Sequence, residues 1–357
     1  MQNISIGYVP YSFDLKHPAD RRRIGSWAAA KEIEFNLKTP LESDVLILSN
    51  GANFGHWIKR SQQPVALDLV DAYLGENPSF AKDFVRNIVR SIRGTSNLHW
   101  ITYSRHLKNA CQLADLVVVA SEEQKELVYP FNKNVVVIQD DHFEVDSEYK
   151  LRSDSESSSI EKSDKPHLFW EGYGYTLKHF QVISSELDRF LFESGWGMYL
   201  ITVDTFPKWG GYLGKVSTQK EIRKYFPRSW QSIQIIPWTL SNLVAFALKS
   251  TLGVIPINAE DNFAVLKSEN KLLSMWHLKL PVLFSDTPSY LRVAKSSDNL
   301  MGVVKVGEWY DKLLLLAADE TLRERIRIRG EDYVTSNHSH ADLVKKWDDA
   351  IQSLVNS

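Results

Sequence analysis

The sequence predicts an α/β protein made of two doubly wound parallel sheets that follow one another along the chain. Three observations predict it. Short, continuous Val/Ile/Leu runs alternate with helix-like segments, as expected of strands buried on both faces. One stretch, KLRSDSESSSIEKSDK over Lys150–Lys165, breaks the alternation; it holds few apolar residues and marks a linker. After it the alternation starts again. The 357 residues are enough for two domains of about 150 residues each.

In chain order, Ile4–Val9 is the first expected strand and Ile24–Phe35 the first helix. Asp44–Ser49 and Val65–Leu69 are apolar runs bounded by turn residues. Leu116–Ala120 and Val135–Ile138 follow, with helical Glu122–Leu127 between them. Beyond the linker, strands are expected at His167–Trp170, Met198–Val203, Ile233–Ile236, Leu252–Ile257, Val282–Ser285 and Gly302–Val306. This pattern fits two Rossmann-like domains facing a central cleft. The boundaries are residues 1–150, a linker at 151–165, a second domain at 166–338 and a terminal helix at 339–357.

Composition excludes several classes. The net charge of −2 provides no global field to recruit nucleic acid. The single Cys111 rules out an internal disulfide framework and favours a reducing compartment. No apolar run reaches the roughly 18–20 residues that span a bilayer. The opening MQNISIGYVPYSF reads as a core strand rather than a signal peptide. A cytoplasmic location is expected. No metal pattern is readable: there is no His-Glu-x-x-His, no cysteine cluster and no Asp-x-Asp. Nor is there a Gly-x-Ser-x-Gly elbow.

Two stretches carry candidate chemistry. Leu252–Tyr290 reads as strand, loop, helix, strand, with polar groups gathered where the first strand gives way to the helix, at the end where open sheets bind ligands. Lys267 and Lys271 lie four apart on one helical face, and Ser268 suits an N-cap. Free amides beside two cations suit a phosphate. Within the loop, Glu260, Asp261 and Asn262 can accept hydrogen bonds from sugar hydroxyls; a plain polar turn is the alternative. His167–Phe180 reads as a strand, a glycine loop and a helix capped by Thr176. Gly172 and Gly174 let a ligand approach the backbone, and Lys178 sits in the expected first turn. Leu177 occupies the third glycine position, so this is no dinucleotide fingerprint. A solvated lysine on an ordinary turn is the plainer reading. Pro237-Trp238 ends another strand, where Trp238 either stacks on a base or packs in the core.

Ile257, Asp261, Asn262, Phe263, Lys267, Ser268, Lys271 and the run Pro281–Tyr290 resemble the donor-binding segment of GT-B glycosyltransferases. The likeness is to their group-1 (family-four-like) retaining class of bacterial polysaccharide biosynthesis, and it keeps residue types and spacing over about thirty positions. The resemblance implies a GT-B fold with an acceptor-side first domain and a nucleotide-sugar donor domain second, the terminal helix packing back across the cleft. It implies that Lys178 holds the donor pyrophosphate and that Pro237 and Trp238 border the nucleobase. Gly172, Gly174, Asn262, Lys267, Ser268, Asn270 and Lys271 complete the implied donor set. One departure stands out. Many members carry two glutamates separated by seven residues, and Leu266 and Ser274 occupy those places here. Asp261 and Glu269 share the spacing in another register, so the motif is not transferred to them.

The first half is softer. His17–Arg23, HPADRRR, resembles the family's Asp-Arg-Arg segment, so Arg22 and Arg23 are expected to meet donor phosphate or an anionic acceptor; a solvated basic face is the alternative. Asn50, Asn53 and His56 lie in or after a polar strand-end loop and complete the acceptor-side set. His99 and His106 are further histidines near strand ends. The catalytic residue stays unassigned, with Glu260, Asp261 and His106 as candidates. Phe84, Val85, Ile88, Val89 and Ile92 form a helical stripe with Arg86, Arg90 and Arg93 opposite. Core packing explains the stripe first. Peripheral contact with an anionic inner membrane face is the second reading, favoured by 14 Lys/Arg against 10 Asp/Glu in residues 1–110.

The expected function is sugar transfer from a nucleotide-diphosphate sugar to a glycan or lipid-linked glycan. Retention is expected, with no metal and no cofactor beyond the sugar nucleotide as co-substrate. A nucleotide-sugar 2-epimerase on the same fold is one alternative. A non-catalytic glycan-binding or assembly subunit is the other, and the missing glutamate pair gives it weight.

Overall fold

The computed structural model describes residues 4–76, 78–96, 102–156, 165–207 and 214–356. They form two compact units. The first takes Met1–Asp141, Leu266–Ser268 and His338–Ser357; the second takes His142–Val265 and Glu269–Asn337.

In the first unit, β1 (Ile6–Val9), β2 (Val45–Ser49), β3 (Val65–Leu69), β4 (Leu116–Val119) and β5 (Val135–Val137) form one parallel sheet in sequence order. Alternate residues serve opposite faces, as the two-residue period of a strand requires. Ile6, Tyr8, Val45, Ile47, Leu116 and Val118 pack with Ile24 and Trp27 of the helix Ile24–Ala30. Leu46, Leu48, Leu67, Val117 and Val119 pack with Tyr103 and Leu107 of the helix Tyr103–Leu113. The first helix stops short of Phe35 because Glu32 takes a left-handed φ of 55°. The terminal helix His340–Val355 is capped by Ser339, whose hydroxyl accepts from the Asp342 amide at 3.2 Å. Its Leu343, Trp347, Ile351 and Leu354 are buried in this unit's own core.

The helix Phe80–Ile92 reverses the expected packing. Its buried residues are Asp83 and Asn87, while Phe80, Val85 and Ile92 are exposed. The polar face is buried because polar partners meet it. Asp83 accepts from the Ser104 amide at 3.1 Å, and Asn87 accepts from the Ser96 hydroxyl at 2.7 Å. Arg86 forms two bonds to Glu76 at 2.7 and 2.8 Å, and Arg90 donates to the Asn50 carbonyl at 2.7 Å.

In the second unit, β6 (His167–Glu171), β7 (Gly197–Thr202), β10 (Ile233–Pro237), β11 (Leu252–Ile255), β12 (Val282–Ser285) and β13 (Val303–Val304) form a parallel sheet. The spatial order is β10-β7-β6-β11-β12-β13. The chain winds outward from β6 to β10, then returns to the other side of β6 with β11. This is the 3-2-1-4-5-6 order of a doubly wound sheet, with its switch point between β6 and β11. A small antiparallel pair, β8 (Thr205–Pro207) and β9 (Lys215–Ser217), stands apart.

The division falls earlier than the composition suggested. Residues 150–156 end the helix Phe143–Glu156, and that helix belongs to the second unit because Val145 and Tyr149 pack in its core with Trp276 and Phe284. Residues 157–164 of the expected linker lie outside the described residues.

Candidate functional site at the second sheet's switch point

Two loops leave the carboxyl ends of the strands that flank the switch point. After β6, Gly172 lies where a Cβ would come within 2.9 Å of the Lys271 ammonium, 2.9 Å of the Thr176 hydroxyl and 3.0 Å of the Trp170 ring. The absent side chain leaves room for the lysine, whose Nζ stands 4.7 Å from the Trp170 ring centre. Gly174 serves another purpose than the expected one. A Cβ there would lie 2.2 Å from the Phe206 ring, so this glycine makes room for Phe206 rather than for a ligand.

The chain then forms a 3-10 helix, Gly174–Val182, before the α-helix Ser184–Ser194. Thr176 is therefore not a cap. Its hydroxyl donates to the Tyr173 carbonyl at 2.7 Å. Lys178 lies in the middle of the 3-10 segment and pairs with Asp261 at 2.5 Å. Burial raises the Asp261 carboxyl, but the Lys178 bond and the Ala264 amide outweigh it and hold the group below the usual carboxylate range.

The second loop, after β11, is tied to the first. The Asn258 amide donates to His179 Nδ1 at 3.3 Å, and the Ile257 amide to Ser285 Oγ, at the end of β12, at 2.8 Å. Asp261 and Glu260 follow, Glu260 exposed. Asn262 opens a short helix, Asn262–Val265. That short helix lies ahead of the expected one, and the helix expected from Lys267 starts three residues later, running Asn270–His277 with Glu269 at its N-cap. Ser268 is buried ahead of it and caps nothing. Lys267 groups with the first unit and pairs there with Asp71 at 3.2 Å. Lys271 keeps its place in the first turn of the second helix. Beside it, Asn270 Oδ1 is enclosed and accepts no hydrogen bond among the described residues.

Glu269 is a residue that motif reading set aside. It is fully buried, and Arg292 donates to both its oxygens at 3.0 Å. A helix-start carboxylate is visible in sequence, but its burial depends on Arg292, 23 residues away. Pro237 is exposed, and Trp238 is half-buried against the second unit's core. The two departing glutamate positions differ in setting: Ser274 is buried in its helix, and Leu266 goes with the first unit.

The acceptor-side residues behave differently. Arg23 is fully buried and pairs with Asp68 at 2.6 Å and Asp140 at 3.2 Å, and it also donates to the Ile138 carbonyl at 2.8 Å. Burial works against this charge, but the two carboxylates outweigh it and raise the guanidinium pKa. Every face of Arg23 serves the fold, so it meets no ligand. Half-buried Arg22 accepts, through its carbonyl, from the Asp141 amide at 2.6 Å. Asn50 is buried and accepts from the Tyr103 hydroxyl at 3.1 Å, so it lines no open loop. Asn53 caps the short helix Phe54–Trp57 through the His56 amide at 3.2 Å. His56 is half-buried against Arg60; burial first and that cation second lower its pKa. His106 is buried beside Phe54, which removes it as a base toward a dissolved hydroxyl. His99 lies outside the described residues.

No family model and no curated protein matches the chain at the level of sequence. Solved structures do match. TarM superposes with a TM-score of 0.58 at 11% identity, over 88% of this chain and 55% of that one. The fold is GT-B. HepE from Anabaena, in complex with UDP-glucose, gives 0.58 at 12% identity over 88% of this chain and 80% of its own. A UDP-forming α,α-trehalose-phosphate synthase from Burkholderia vietnamiensis gives 0.57 at 10% over 96% and 75%. The chain thus spans little more than half the length of TarM. Among the described residues, no helix is long and apolar enough to cross a membrane.

Proposed function

We propose that the chain is a glycosyltransferase that takes a sugar from a nucleoside-diphosphate sugar, with the donor diphosphate held at the second sheet's switch point. The observation that carries this reading is the convergence of Lys271, the Gly172 backbone and the Lys178–Asp261 pair where the strand order reverses. Breaking the glycosyl–phosphate bond leaves negative charge on the nucleotide. Fixed cations stabilise that charge as it develops. An acceptor hydroxyl forms the new glycosidic bond and releases its proton, and the nucleoside diphosphate departs.

The GT-B neighbours with UDP-glucose, and with UDP and sugar, support the donor class. A glycan or lipid-linked glycan acceptor, retention, and transfer without a metal complete the proposal. The last rests on Lys178 and Lys271 as the local source of positive charge. Asp261 pairs with Lys178, and we place it there as a group that holds Lys178 until phosphate competes for it.

The non-catalytic reading keeps one observation in its favour, the serine and leucine at the two glutamate positions. Incubation with UDP, GDP and dTDP sugars, with and without a glycan acceptor, decides among the readings. Acceptor-dependent release of nucleoside diphosphate supports transfer. An epimerised sugar from donor alone supports the epimerase, and no binding of any nucleotide supports the assembly subunit.

A further inference from the structure

Arg23 closes the segment His17–Arg23 and serves the fold, but His17 at its start keeps a group that the fold does not use. His17 is half-buried and caps the short helix Pro18–Arg21, its Nδ1 accepting from the Ala19 amide at 3.1 Å. An accepting Nδ1 puts the proton of a neutral imidazole on Nε2. Burial, the largest influence, lowers the imidazole pKa and keeps the ring neutral at pH 7. The Nε2–H has no hydrogen-bond partner among the described residues and is not sealed from solvent. The ring stacks on Tyr11, with centroids 4.0 Å apart and planes at 23°. Tyr11 is 46% exposed, and Phe13, two residues on, 84%. All three residues belong to the loop that follows β1, at the carboxyl end where parallel strands receive ligands.

The loop is pinned, so the exposure of its aromatics is built in. Asp20 is fully buried beneath it. Its Oδ1 accepts from the Tyr8 hydroxyl at 2.6 Å and the Tyr11 amide at 2.7 Å, and its Oδ2 from the Ser12 amide at 2.9 Å and the Ser12 hydroxyl at 3.1 Å. Four donors satisfy the carboxylate. The Ser12 oxygen accepts in turn from the His17 amide at 3.2 Å. Leu15 packs on the first unit's core with a left-handed φ of 56°, a conformation that persists where its surroundings fix it. From the other side, Gly51 presses against Tyr11: a Cβ there would lie 2.9 Å from the Tyr11 Cα.

Chemistry identifies the ligand. The charges that act on His17 are Asp14, Asp20 and Asp71 against Arg21, so no cationic pocket awaits a phosphate there. An aromatic surface beside one uncharged donor fits a neutral pyranose. The C–H face of such a sugar lies on the electron-rich face of an aromatic ring, and one of its oxygens accepts from the Nε2–H. An apolar protein surface would cover the aromatics but leave the Nε2–H without an acceptor.

We propose that Tyr11 and His17 form a binding site for a neutral sugar ring on the first unit, with the His17 Nε2–H as its hydrogen-bond donor and Phe13 as its flank. Taking that sugar to be the acceptor rests on the transferase reading above; the sugar site itself does not.

Saturation-transfer NMR on the full chain tests it, with the methyl glycosides of glucose, galactose, mannose and N-acetylglucosamine as probes and no nucleotide present. The wild type should bind at least one of them. Tyr11→Ser should weaken that binding by about fivefold or more. His17→Ser, which keeps a cap for the short helix, should weaken it by about threefold or more. Phe13→Ser removes only an exposed ring and should weaken it by about twofold or more with melting unchanged. No glycoside bound by the wild type, or an affinity unchanged in all of these variants, overturns the proposal. Displacement of the glycoside by uridine also overturns it, since the aromatic surface then stacks a base. Titration of the same samples with UDP, GDP and dTDP separates the two readings. A chain that binds a glycoside but no nucleoside diphosphate upholds the sugar site and removes the transferase reading.

Discussion

The two sheets treat the polar groups at their strand ends in opposite ways. In the first, strands lie in sequence order, and charged residues near their carboxyl ends are enclosed: Arg23 is gripped by Asp68, Asp140 and a backbone carbonyl. In the second, the order reverses between β6 and β11, and the cations there stay partly open, Lys178 with more than half of its side chain exposed. The same residue class thus meets two fates. Where consecutive strands are neighbours, loops close over the strand ends. Where the winding reverses, loops diverge and leave a crevice. A charge that is fully partnered stabilises the fold, and one that is partly partnered can exchange its partner for a ligand.

The largest effect should fall on the first sheet. Arg23→Ala leaves Asp68 and Asp140 buried without their counter-charge, and unfolding in urea should show a loss of about 3–5 kcal/mol. A loss below 1 kcal/mol would place Arg23 among the open cations and erase the contrast. Next, Gly174→Ala should cost about 1–3 kcal/mol through overpacking against Phe206. Thermal melting reads this, and a neutral result would mean that Gly174 does keep its space for something other than the ring.

A smaller effect belongs to the second sheet's half-open pair. Asp261→Asn should change stability at pH 7 by less than about 1 kcal/mol, because Lys178 is largely solvated. The sign follows from the lowered carboxyl. Its contribution is present above the ordinary carboxylate pKa of about 4 and is lost as pH falls through the folded value. The melting difference between wild type and variant should therefore begin to shrink near pH 4 and vanish only below the lowered folded value, and a difference that grows toward acid contradicts the pairing. Smallest of all, burial pushes the Cys111 thiol up to about 12. Iodoacetamide should leave it unmodified at pH 8 until the chain unfolds, and rapid native labelling would show that the first unit opens.

The expected strands of both sheets are present, within a residue or two at their ends, because continuous apolar runs are a local signal. The pair β8 and β9 escaped notice, since three-residue exposed strands carry no such run. Helix starts were less legible. Lys267 and Ser268 look like a helix opening, yet the chain opens its helix at Asn270 and sends Lys267 to Asp71, 196 residues away. Long-range partners also decided the Arg-rich segment, where Arg23 became a core residue and not a phosphate ligand. The helix Phe80–Ile92 shows the limit most clearly. Its two faces are plain in the sequence, but which one turns inward depends on Ser96, Ser104 and Asn50. At the candidate site, Gly172, Lys178, Asp261 and Lys271 were readable as types in a pattern. Their convergence required the strand order.

Calorimetric titration with nucleoside diphosphates tests the central claim most directly. A panel of UDP, GDP and dTDP first identifies the ligand of the wild-type chain. Lys178→Ala and Lys271→Ala should then each weaken its binding by about 1.5–3 kcal/mol, the scale of a charged hydrogen bond. Lys267→Ala, whose ammonium belongs to Asp71, should weaken it by less than about 1 kcal/mol. Unchanged affinity in both of the first two variants, with folding intact, would contradict a diphosphate site at the second sheet's switch point.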